Sequence, residues 1–556
     1  MNEPHELPVI FAVTGHRDLR PEDEPVLIAS VRGIFERFRE RYPCTPIVLL
    51  TPLAAGADRL VARVAIELKV PFRVPMPFPE ADYRKDFDAA ENTEFSELLE
   101  ISEGHYTMPF VGDTTADNVR EPARRALQYA MVGAHLARVA HVMIALWNGK
   151  ASEGVGGTGD IVEYRLSGAP KMFLPSTTLL DAPETGPVYH VVVARRSDPE
   201  TELPVGTVLV ETRRARVDEL HDPSRRLYAR IDRFNRDRLQ LLRKTGTPPA
   251  AIRLRDVAEQ LATHYQRLYR RTLNLMFAGA VIGAISLAIA HRDAPTYSFV
   301  LLYCAFVAFA YIAHAYVERR RWKDRSIEYR ALELGLTIQR VWDLVGLETS
   351  VADYYLRIQR SEFDWIRAAI RTVHDLAAEQ SPDTKLGVVA VQDFVTSQRD
   401  FFSVAAPRDE RLAKLYRQAT DVIVGIGAAL TLVLLAIAVG HLISPKTPAA
   451  LAPVLARIWI HGDVVIRAIA IATILAAVFH EYPRRRAFHA QARRYAIMLQ
   501  LYERALDLLV DARGEPFEMR LSVAREVIFE VGKEALAENG EWLMMHRELP
   551  LDPLHV

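Results

Sequence analysis

The residues from Gly154 to Tyr164 read GVGGTGDIVEY, a glycine-rich loop that leads into a helical pattern. Glycine clusters lose much backbone entropy on folding, so they occur where a chain turns tightly or approaches something closely. The backbone N–H groups at the first turn of a helix bind anions such as phosphate. We therefore predict that the amides of Gly156, Gly157 and Thr158 hold a phosphate group. A plain surface loop is the alternative.

Two other segments rich in small polar residues also follow apolar runs. TGHRDL, from Thr14 to Leu19, comes after PVIFAV, and TPLAAGADRL, from Thr51 to Leu60, comes after PIVLL. The glycine loop itself follows VMIALW and NGK. Ligands of open α/β sheets bind at the carboxyl ends of the strands. The three segments therefore predict one ligand-binding edge.

The side chains in these segments match the parts of a nucleotide. Arg17 offers the bidentate geometry that phosphates favour, and we expect His16 to add a second cationic contact. We expect Asp58 to accept a hydrogen bond from a ribose hydroxyl and Trp147 to stack on a base. The predicted ligand-binding residues are Thr14, Gly15, His16, Arg17, Gly56, Asp58, Trp147, Gly156, Gly157, Thr158, Gly159, Asp160 and Glu163.

Each of these roles has a structural alternative. Arg17 is equally suited to an ion pair with Asp18 or Asp58. Gly56 and Asp58 are also what the start of a helix requires, since a carboxylate stabilises its positive end. Trp147 has the size and position of a core residue that closes the sheet. The joint position of these residues at one edge favours a ligand site.

The elements that position these residues follow from hydrophobic periodicity. PFRVPM, VAHVMIALW and VYHVVVA read as further strands, and EPVLIASVRGIFERFRERY and ADRLVARVAIEL as amphipathic helices. Fully apolar strands separated by helices indicate a parallel sheet that is covered on both faces. We predict a Rossmann-like, doubly wound α/β domain in the N-terminal half.

The C-terminal half contains four apolar runs, at about 272–290, 297–317, 421–443 and 464–482. Each approaches the roughly 20 residues that a helix needs to cross a bilayer core. Basic residues flank the outer ends of both hairpins, which places both termini in the cytoplasm of a multi-pass inner-membrane protein. The runs hold no ionisable group near the midplane, which disfavours a pump. Gly279 and Gly283 predict close helix packing or self-association.

These patterns divide the chain into an α/β nucleotide-binding domain and an all-α membrane domain with long cytoplasmic helices. The predicted segments are the nucleotide-binding domain at 1–240, the first hairpin at 241–345, a helical connector at 346–407, and the second hairpin with C-terminal helices at 408–556.

Composition excludes several classes of protein. The 69 Lys and Arg residues against 70 Asp and Glu residues leave a net charge of -1, so nothing predicts a nucleic acid polymer as partner. The two cysteines, Cys44 and Cys304, cannot form a disulfide framework, and no Cys/His pattern predicts a metal. The N-terminus lacks the pattern of a signal peptide. No cofactor is expected beyond the nucleotide ligand.

The motifs at the three strand ends resemble those of the SLOG superfamily, a Rossmann-like group that includes the LOG phosphoribohydrolases and DNA-processing proteins. These motifs are TGHRDL, LAAGADRLVA, and ALWNGK followed by GVGGTGDIVEY. The stretch from Val155 to Glu163 resembles the LOG signature PGGxGTxxE, with Val155 in place of proline and Asp160 in place of threonine. The resemblance implies that residues 156–159 hold a nucleotide phosphate and that Glu163 lies where the enzymes keep a catalytic carboxylate. The two departures put catalysis in doubt.

Two segments after the fourth apolar run resemble the SLATT family of two-transmembrane domains. They are RRYAIMLQLYERAL and ENGEWLMMHRELPL. That family is often linked to SLOG domains and is thought to act at membranes in bacterial conflict. The two resemblances imply an oligomeric antiviral effector that senses a nucleotide-derived signal and breaches the membrane. A membrane-tethered nucleotide N-glycosidase that uses Glu163, and a scaffold without a ligand, are the alternatives.

Overall fold

The computed structural model describes residues 5–152, 154–174, 183–217, 222–248, 252–289, 296–356, 360–377, 382–443, 462–485 and 488–548. Position 290, the last of the first predicted span, lies outside these ranges. The strands are β1 (Val9–Gly15), β2 (Ile47–Leu50), β3 (Phe72–Met76), β4 (His105–Thr107), β5 (Val142–Trp147), β6 (Val188–Val192), β7 (Val208–Glu211) and β8 (Arg216–Val217).

The first seven helices belong to the α/β half of the chain. They are α1 (Glu24–Arg41), α2 (Ala57–Glu67), α3 (Glu80–Tyr83), α4 (Ala89–Ile101), α5 (Pro122–Val139), α6 (Thr158–Ser167) and α7 (Arg225–Thr245). The helices that follow are α8 (Leu254–Ile289), α9 (Thr296–Arg320), α10 (Trp322–Leu344), α11 (Arg360–Ala377), α12 (Thr384–Ile443), α13 (Gly462–Arg485), α14 (Phe488–Asp511) and α15 (Phe517–Glu548).

The strands form one sheet in the order β4-β3-β2-β1-β5-β6-β7-β8. Pairing is parallel from β4 to β6, whereas β7 and β8 are antiparallel. The predicted strands β1, β2, β3, β5 and β6 are confirmed. The sheet is nevertheless mixed and not parallel throughout, because β7 and β8 pair antiparallel. The short strands β4, β7 and β8 gave no periodic signal, so the sequence did not predict them.

Packing on β1 alternates along the strand, as side chains of a strand point to opposite faces. Ile10 and Ala12 belong to a buried cluster with residues of α5 and α6. The ring of Phe11 stacks on Phe35 of α1 at 5.1 Å between centroids and meets Phe38 edge-on. Both faces of the central strand are therefore buried, which explains its uninterrupted apolar sequence.

The chain divides into two compact units. Unit 1 comprises Met1–Leu261 and Ala331–Asp383, and unit 2 comprises Ala262–Arg330 and Thr384–Val556. The end of the predicted first hairpin and most of the connector therefore belong to the same compact unit as the sheet. The two units are defined by how compactly the chain packs and not by function. The functional domain boundaries given above therefore stay predictions.

Three stretches in the described part of the chain are long and apolar enough to cross a membrane: Leu301–Leu344, Thr384–Ala436 and Val465–Arg484. They overlap the predicted spans at 297–317, 421–443 and 464–482, which supports membrane association. Large apolar side chains on them are exposed, for example Leu301 at 69% and Val422 at 61%. The remaining predicted span lies at the end of α8, which is helical as far as Ile289.

Contacts within unit 2 show which residues of its apolar helices lie at the same position along the helix axes. Leu273 of α8 and Val317 of α9 share a buried cluster. The hydroxyl of Tyr482, on α13, donates to Asn274 Oδ1 at 3.2 Å. The rings of Tyr482 and Tyr416, on α12, lie 5.5 Å apart. These four helices therefore contact one another at one level, which we call the collar level.

The glycine face of α8 packs against α9. A Cβ atom added at Gly279 would lie 3.3 Å from the ring of Phe306, and one at Gly283 would lie 3.2 Å from Phe306 Cβ. A side chain at either position would require Phe306 to shift by a few tenths of an ångström. The predicted close packing is therefore found within the chain. At Gly425, in contrast, an added Cβ would meet nothing within 4 Å among the described atoms.

Candidate functional site

The carboxyl ends of β1 and β5 lie side by side at the centre of the sheet, where the strand order reverses direction along the chain. Such a reversal opens a crevice that α/β proteins use for ligands. The loops after the two strands meet there, since His16 Nε2 lies 3.0 Å from Asn148 Oδ1. Burial lowers the pKa of His16, against the effect of the Asn148 hydrogen bond. This favours a neutral ring and not the cation expected from the sequence.

The loops after β1 and β2 cross at two glycines. The N–H of Ala57 donates to His16 O at 3.1 Å. A Cβ atom at Gly56 would lie 2.4 Å from Arg17 O, and one at Gly15 would lie 2.4 Å from Ala57 Cβ. Gly56 also has φ of +82°, which L side chains rarely adopt. The motifs TGHRD and AAGADR therefore encode a crossing of two backbones as well as candidate ligand groups.

Arg17 is exposed at this crossing. Its guanidinium lies 5.1 Å from the centroid of the Tyr129 ring, on α5. Asp18, one predicted partner, is bound instead by Arg195 Nε at 2.9 Å and by the Ser197 hydroxyl at 2.5 Å. No carboxylate of the described chain lies within ion-pair distance of Arg17. Its charge is therefore available to an anion.

Asp18 illustrates how the rest of the edge is held by internal ion pairs. Burial opposes its ionisation, but the Ser197 hydroxyl and the Arg195 guanidinium bring the pKa of Asp18 down to about 2. Lys150 and Asn148 both donate to Asp198. These contacts connect the loops after β1, β5 and β6 without using Arg17.

Asp58, on the first turn of α2, lies beneath the crossing with 6% of its surface exposed. Its Oδ2 accepts a hydrogen bond from the N–H of Ala54 at 3.2 Å. Burial raises the pKa of Asp58 to about 7, although this hydrogen bond and the charges of Arg17 and Arg59 favour the carboxylate. The helix-start alternative and a site role are both compatible with this position.

We expect Asp58→Asn to make the protein about 2 kcal/mol more stable at pH 8, with the burial cost of the amide taken into account. The folded pKa lies above the unfolded value of 3.8. The folded state therefore holds an extra proton between the two values, and the free energy of unfolding falls as the pH rises through that window. Melting curves at pH 5 and pH 8 test this: the stability of the variant relative to the wild type should rise by about 2–3 kcal/mol from pH 5 to pH 8. A variant that is less stable at both values would contradict the assignment.

The glycine loop is partly occupied by the protein's own side chains. The N–H of Gly156 donates to Asp160 Oδ2 at 3.0 Å, and the N–H of Asp160 donates to the Ser152 hydroxyl at 2.9 Å. The N–H of Gly157 has only a long bond of 3.4 Å to Gly154 O. In the described chain no acceptor binds the amides of Thr158 and Gly159. Fewer backbone amides of this loop are therefore left to bind an anion than the sequence indicates.

Helix α5 links the glycine loop to the arginine. Gly156 has φ of +81°, and an added Cβ would lie 2.9 Å from the backbone N of Ala130. The neighbouring residue is Tyr129, whose ring makes a cation–π contact with Arg17. The Tyr129 hydroxyl donates a hydrogen bond to Asp86. Asp86 is held in turn by Arg125 Nη2 at 2.5 Å. The loop and Arg17 thus flank the same stretch of α5.

Two predicted residues are not brought to this centre. Trp147 Nε1 donates to Lys150 O at 2.8 Å, and its ring packs on the core and lies 5.0 Å from His190. This arrangement fits the core alternative better than base stacking. Glu163 is exposed on α6, and no contact in the described chain joins it to Arg17 or Asp58.

Sequence reasoning missed residues that hold the site together, namely Tyr129, Asn148, Ser152, Asp86 and Arg125. Tyr129 lies in PARRALQYAMVGAHLARV, whose proline at the start and apolar periodicity are signals of a helix. Asn148 and Ser152 carried a weaker signal, as polar residues of the loop after β5. Asp86 and Arg125 are 39 positions apart, so only the fold brings them together.

A cleft elsewhere in unit 1 contains none of the predicted residues. Its lining includes Leu254 and Arg255 of α8, Gln339 and Asp343 of α10, and Val373 of α11. No group of three His, Cys, Asp or Glu residues in the described chain is arranged to hold a metal ion.

Comparisons with known proteins leave the family open. No model of a known protein family matches the chain, and no curated protein matches it. The resemblance to SLOG and SLATT domains therefore stays a prediction that rests on the motifs.

Proposed function

We propose that this chain is a membrane-anchored effector that binds a nucleotide-derived anion at the carboxyl edge of β1 and β5. The observation that carries the proposal is Arg17, an exposed guanidinium at the strand-order reversal with no carboxylate partner in the described chain. Anions bind such groups through charge-assisted hydrogen bonds. The amides of Thr158 and Gly159 provide further donors across α5.

The sheet is, in this proposal, a doubly wound Rossmann-like domain of SLOG type. Helices α1, α5 and α6 cover the central strand as that layout requires. Ligand contact on Arg17 would alter its packing on Tyr129, and α5 carries that residue. A bound signal shifts an equilibrium only if it prefers one state, so the proposal requires two arrangements of this edge.

The proposal includes four membrane spans, with the end of α8 as the first. The described part of α8 packs through Gly279 and Gly283 on Phe306 of α9, within the apolar stretch that begins at Leu301. A helix that packs along a membrane-spanning helix occupies the same layer. The contact of Asn274 with Tyr482 at the collar level supports the same depth.

The response, in this proposal, is a breach of the inner membrane by a homo-oligomer in antiviral defence, with both termini in the cytoplasm. The four apolar segments carry almost no charge, so a water-filled path requires several copies or an apolar gate. The hydrolase alternative is not favoured, since Glu163 has no contact with Arg17 in the described chain.

We expect Arg17→Gln to weaken nucleotide binding by roughly 10- to 100-fold, because a charge-assisted hydrogen bond contributes about 1.5–3 kcal/mol. A thermal-shift screen of the full-length chain in detergent, against mono-, di- and cyclic nucleotides, measures it. A ligand raises the melting temperature with the logarithm of its concentration. The full chain is needed because unit 1 includes Ala331–Asp383.

The control for this screen is Arg213→Gln, which removes an exposed arginine in the loop between β7 and β8. We expect it to bind the nucleotide as the wild type does. If Arg17→Gln and Arg213→Gln gave the same shift as the wild type, the site would be elsewhere.

A further inference from the structure

We propose that unit 2 carries a ring of arginines that binds the phosphate groups of anionic phospholipids at the membrane surface. We call them the collar arginines, and they are Arg271, Arg319, Arg320, Arg417 and Arg484. They come from α8, α9, α12 and α13, the four helices that contact one another at the collar level.

The collar arginines lie at one height. Arg271 is two residues from Leu273, and Arg319 is two residues from Val317, the pair that joins α8 to α9. Arg417 adjoins Tyr416, whose ring contacts Tyr482. At 1.5 Å per helical residue, offsets of one to three residues keep the Cα atoms of these arginines within about 5 Å of the collar level along each helix.

Four of the five collar arginines form no ion pair in the described chain, and the fifth, Arg484, forms only a long one. Arg271, Arg319 and Arg417 are exposed, and no carboxylate of the described chain forms an ion pair with them. Arg320 lies over the ring of Tyr316 at 5.3 Å. The nearest carboxylate to Arg484 is Glu481, at a long 3.9 Å.

Some neighbouring basic residues form ion pairs within the chain, and we therefore do not count them among the collar arginines. Arg321 pairs with Asp324, and Lys414 pairs with Glu410 at 2.8 Å. Both of these positions are therefore left out. The collar arginines are the ones that leave their charge to an external anion.

The surface beside the ring identifies that anion. On one side of the collar level the exposed side chains are apolar, such as Ile312 at 64% and Leu432 at 64%. Aromatic residues occupy the level itself, with Tyr316 packed edge-on against Trp322. Aromatic belts of this kind lie at the headgroup depth of a bilayer. An anion that is joined to hydrocarbon at this depth is a phospholipid.

The ring selects anionic phospholipids over zwitterionic ones. The amine of a zwitterionic headgroup competes with arginine for its own phosphate, whereas phosphatidylglycerol brings no cation. Basic groups near an anionic surface gain about 1 kcal/mol each, which is about fivefold in binding per arginine. Two adjacent arginines such as Arg319 and Arg320 therefore contribute about 25-fold.

Quenching by brominated lipid tests this inference with the full-length chain in phosphatidylcholine vesicles. Trp322 lies at the collar level beside Tyr316. We expect brominated phosphatidylglycerol to quench tryptophan fluorescence at a lower lipid fraction than brominated phosphatidylcholine. The preference should fall about 25-fold in Arg319→Gln/Arg320→Gln and persist in Arg319→Lys/Arg320→Lys.

The control pair is Arg213→Gln/Arg214→Gln, which removes two exposed arginines of unit 1 and should leave the preference unchanged. Unaltered quenching by brominated phosphatidylcholine shows that a variant is folded and inserted. Equal quenching by both lipids in the wild type would overturn the inference. So would a preference that survives Arg319→Gln/Arg320→Gln, or one that inorganic phosphate abolishes. Quenching by neither lipid would instead refute the membrane location in the proposed function.

Discussion

Gly56→Ala is expected to lower the free energy of unfolding by about 3–5 kcal/mol, the combined cost of a steric overlap and of backbone strain. The added Cβ would lie 2.4 Å from Arg17 O and 2.7 Å from Arg17 Cα. Both are backbone atoms, which no side-chain rotation can move away. The residue also has φ of +82° and ψ of -116°, a conformation that alanine rarely adopts. Thermal unfolding of the full-length chain measures the loss.

Gly246→Ala is the matched control for this prediction. Gly246 also has a positive φ, of +65°, but an added Cβ would meet nothing within 4 Å of the described chain. The control therefore measures strain without overlap and is expected to cost about 1 kcal/mol. Equal losses in the two variants would show that the crossing of the two loops tolerates a side chain.

Asp353→Asn is expected to cost about 3–5 kcal/mol, because it leaves two largely buried arginines without their shared carboxylate. Arg138 Nη2, on α5, lies 2.7 Å from Asp353 Oδ2, and Arg371 Nη2, on α11, lies 3.0 Å from Oδ1. Glu184 extends the network, since it accepts from Arg371 Nη2 at 3.1 Å and from Arg367 Nη2 at 2.6 Å. Asp353 thus fixes the segment after α10 to the helix that carries Tyr129.

The pH dependence of stability gives the same prediction a second readout. Burial opposes ionisation, but Arg138 and Arg371 hold the pKa of Asp353 below its usual value of 3.8. Its stabilising contribution is therefore present above pH 3.8 and is lost as the pH falls through the lowered folded pKa. Asp353→Asn should remove this part of the acid destabilisation.

Asp113→Asn is the control for the ion pair. Asp113 binds Arg124 at 2.6 and 2.9 Å, but its side chain is 85% exposed. Solvent screens such pairs, so we expect little change in stability. Similar losses in Asp353→Asn and Asp113→Asn would contradict the role given to burial.

The sequence predicted the central strands because their chemistry is local. Residues 9–13 and 142–146 are buried on both faces, so they are apolar without interruption and unmistakable in the sequence. β4 has three residues, of which His105 and Thr107 are exposed, and it left no such pattern. The antiparallel edge formed by β7 and β8 depends on a hairpin whose register no local signal determines.

The candidate site was predictable only in part, for a different physical reason. Arg17 and Gly56 could be placed at one edge because carboxyl ends of parallel strands converge. The partner of Arg17 was not predictable. Asp18 binds Arg195 instead, which lies 177 positions away in the sequence. Asp160 was expected to serve a ligand, whereas its carboxylate accepts from Gly156. Competition between internal and external partners depends on distances that a sequence does not contain.

The most direct test of the central claim is dye release from vesicles that contain the full-length protein. The probe is the nucleotide that gives the largest thermal shift, added to the side on which unit 1 is exposed. We predict that it releases the dye from vesicles with the wild type and with Arg213→Gln, but not from vesicles with Arg17→Gln. Vesicles that stay sealed while the wild type binds the nucleotide, or that leak equally with Arg17→Gln, would contradict the account.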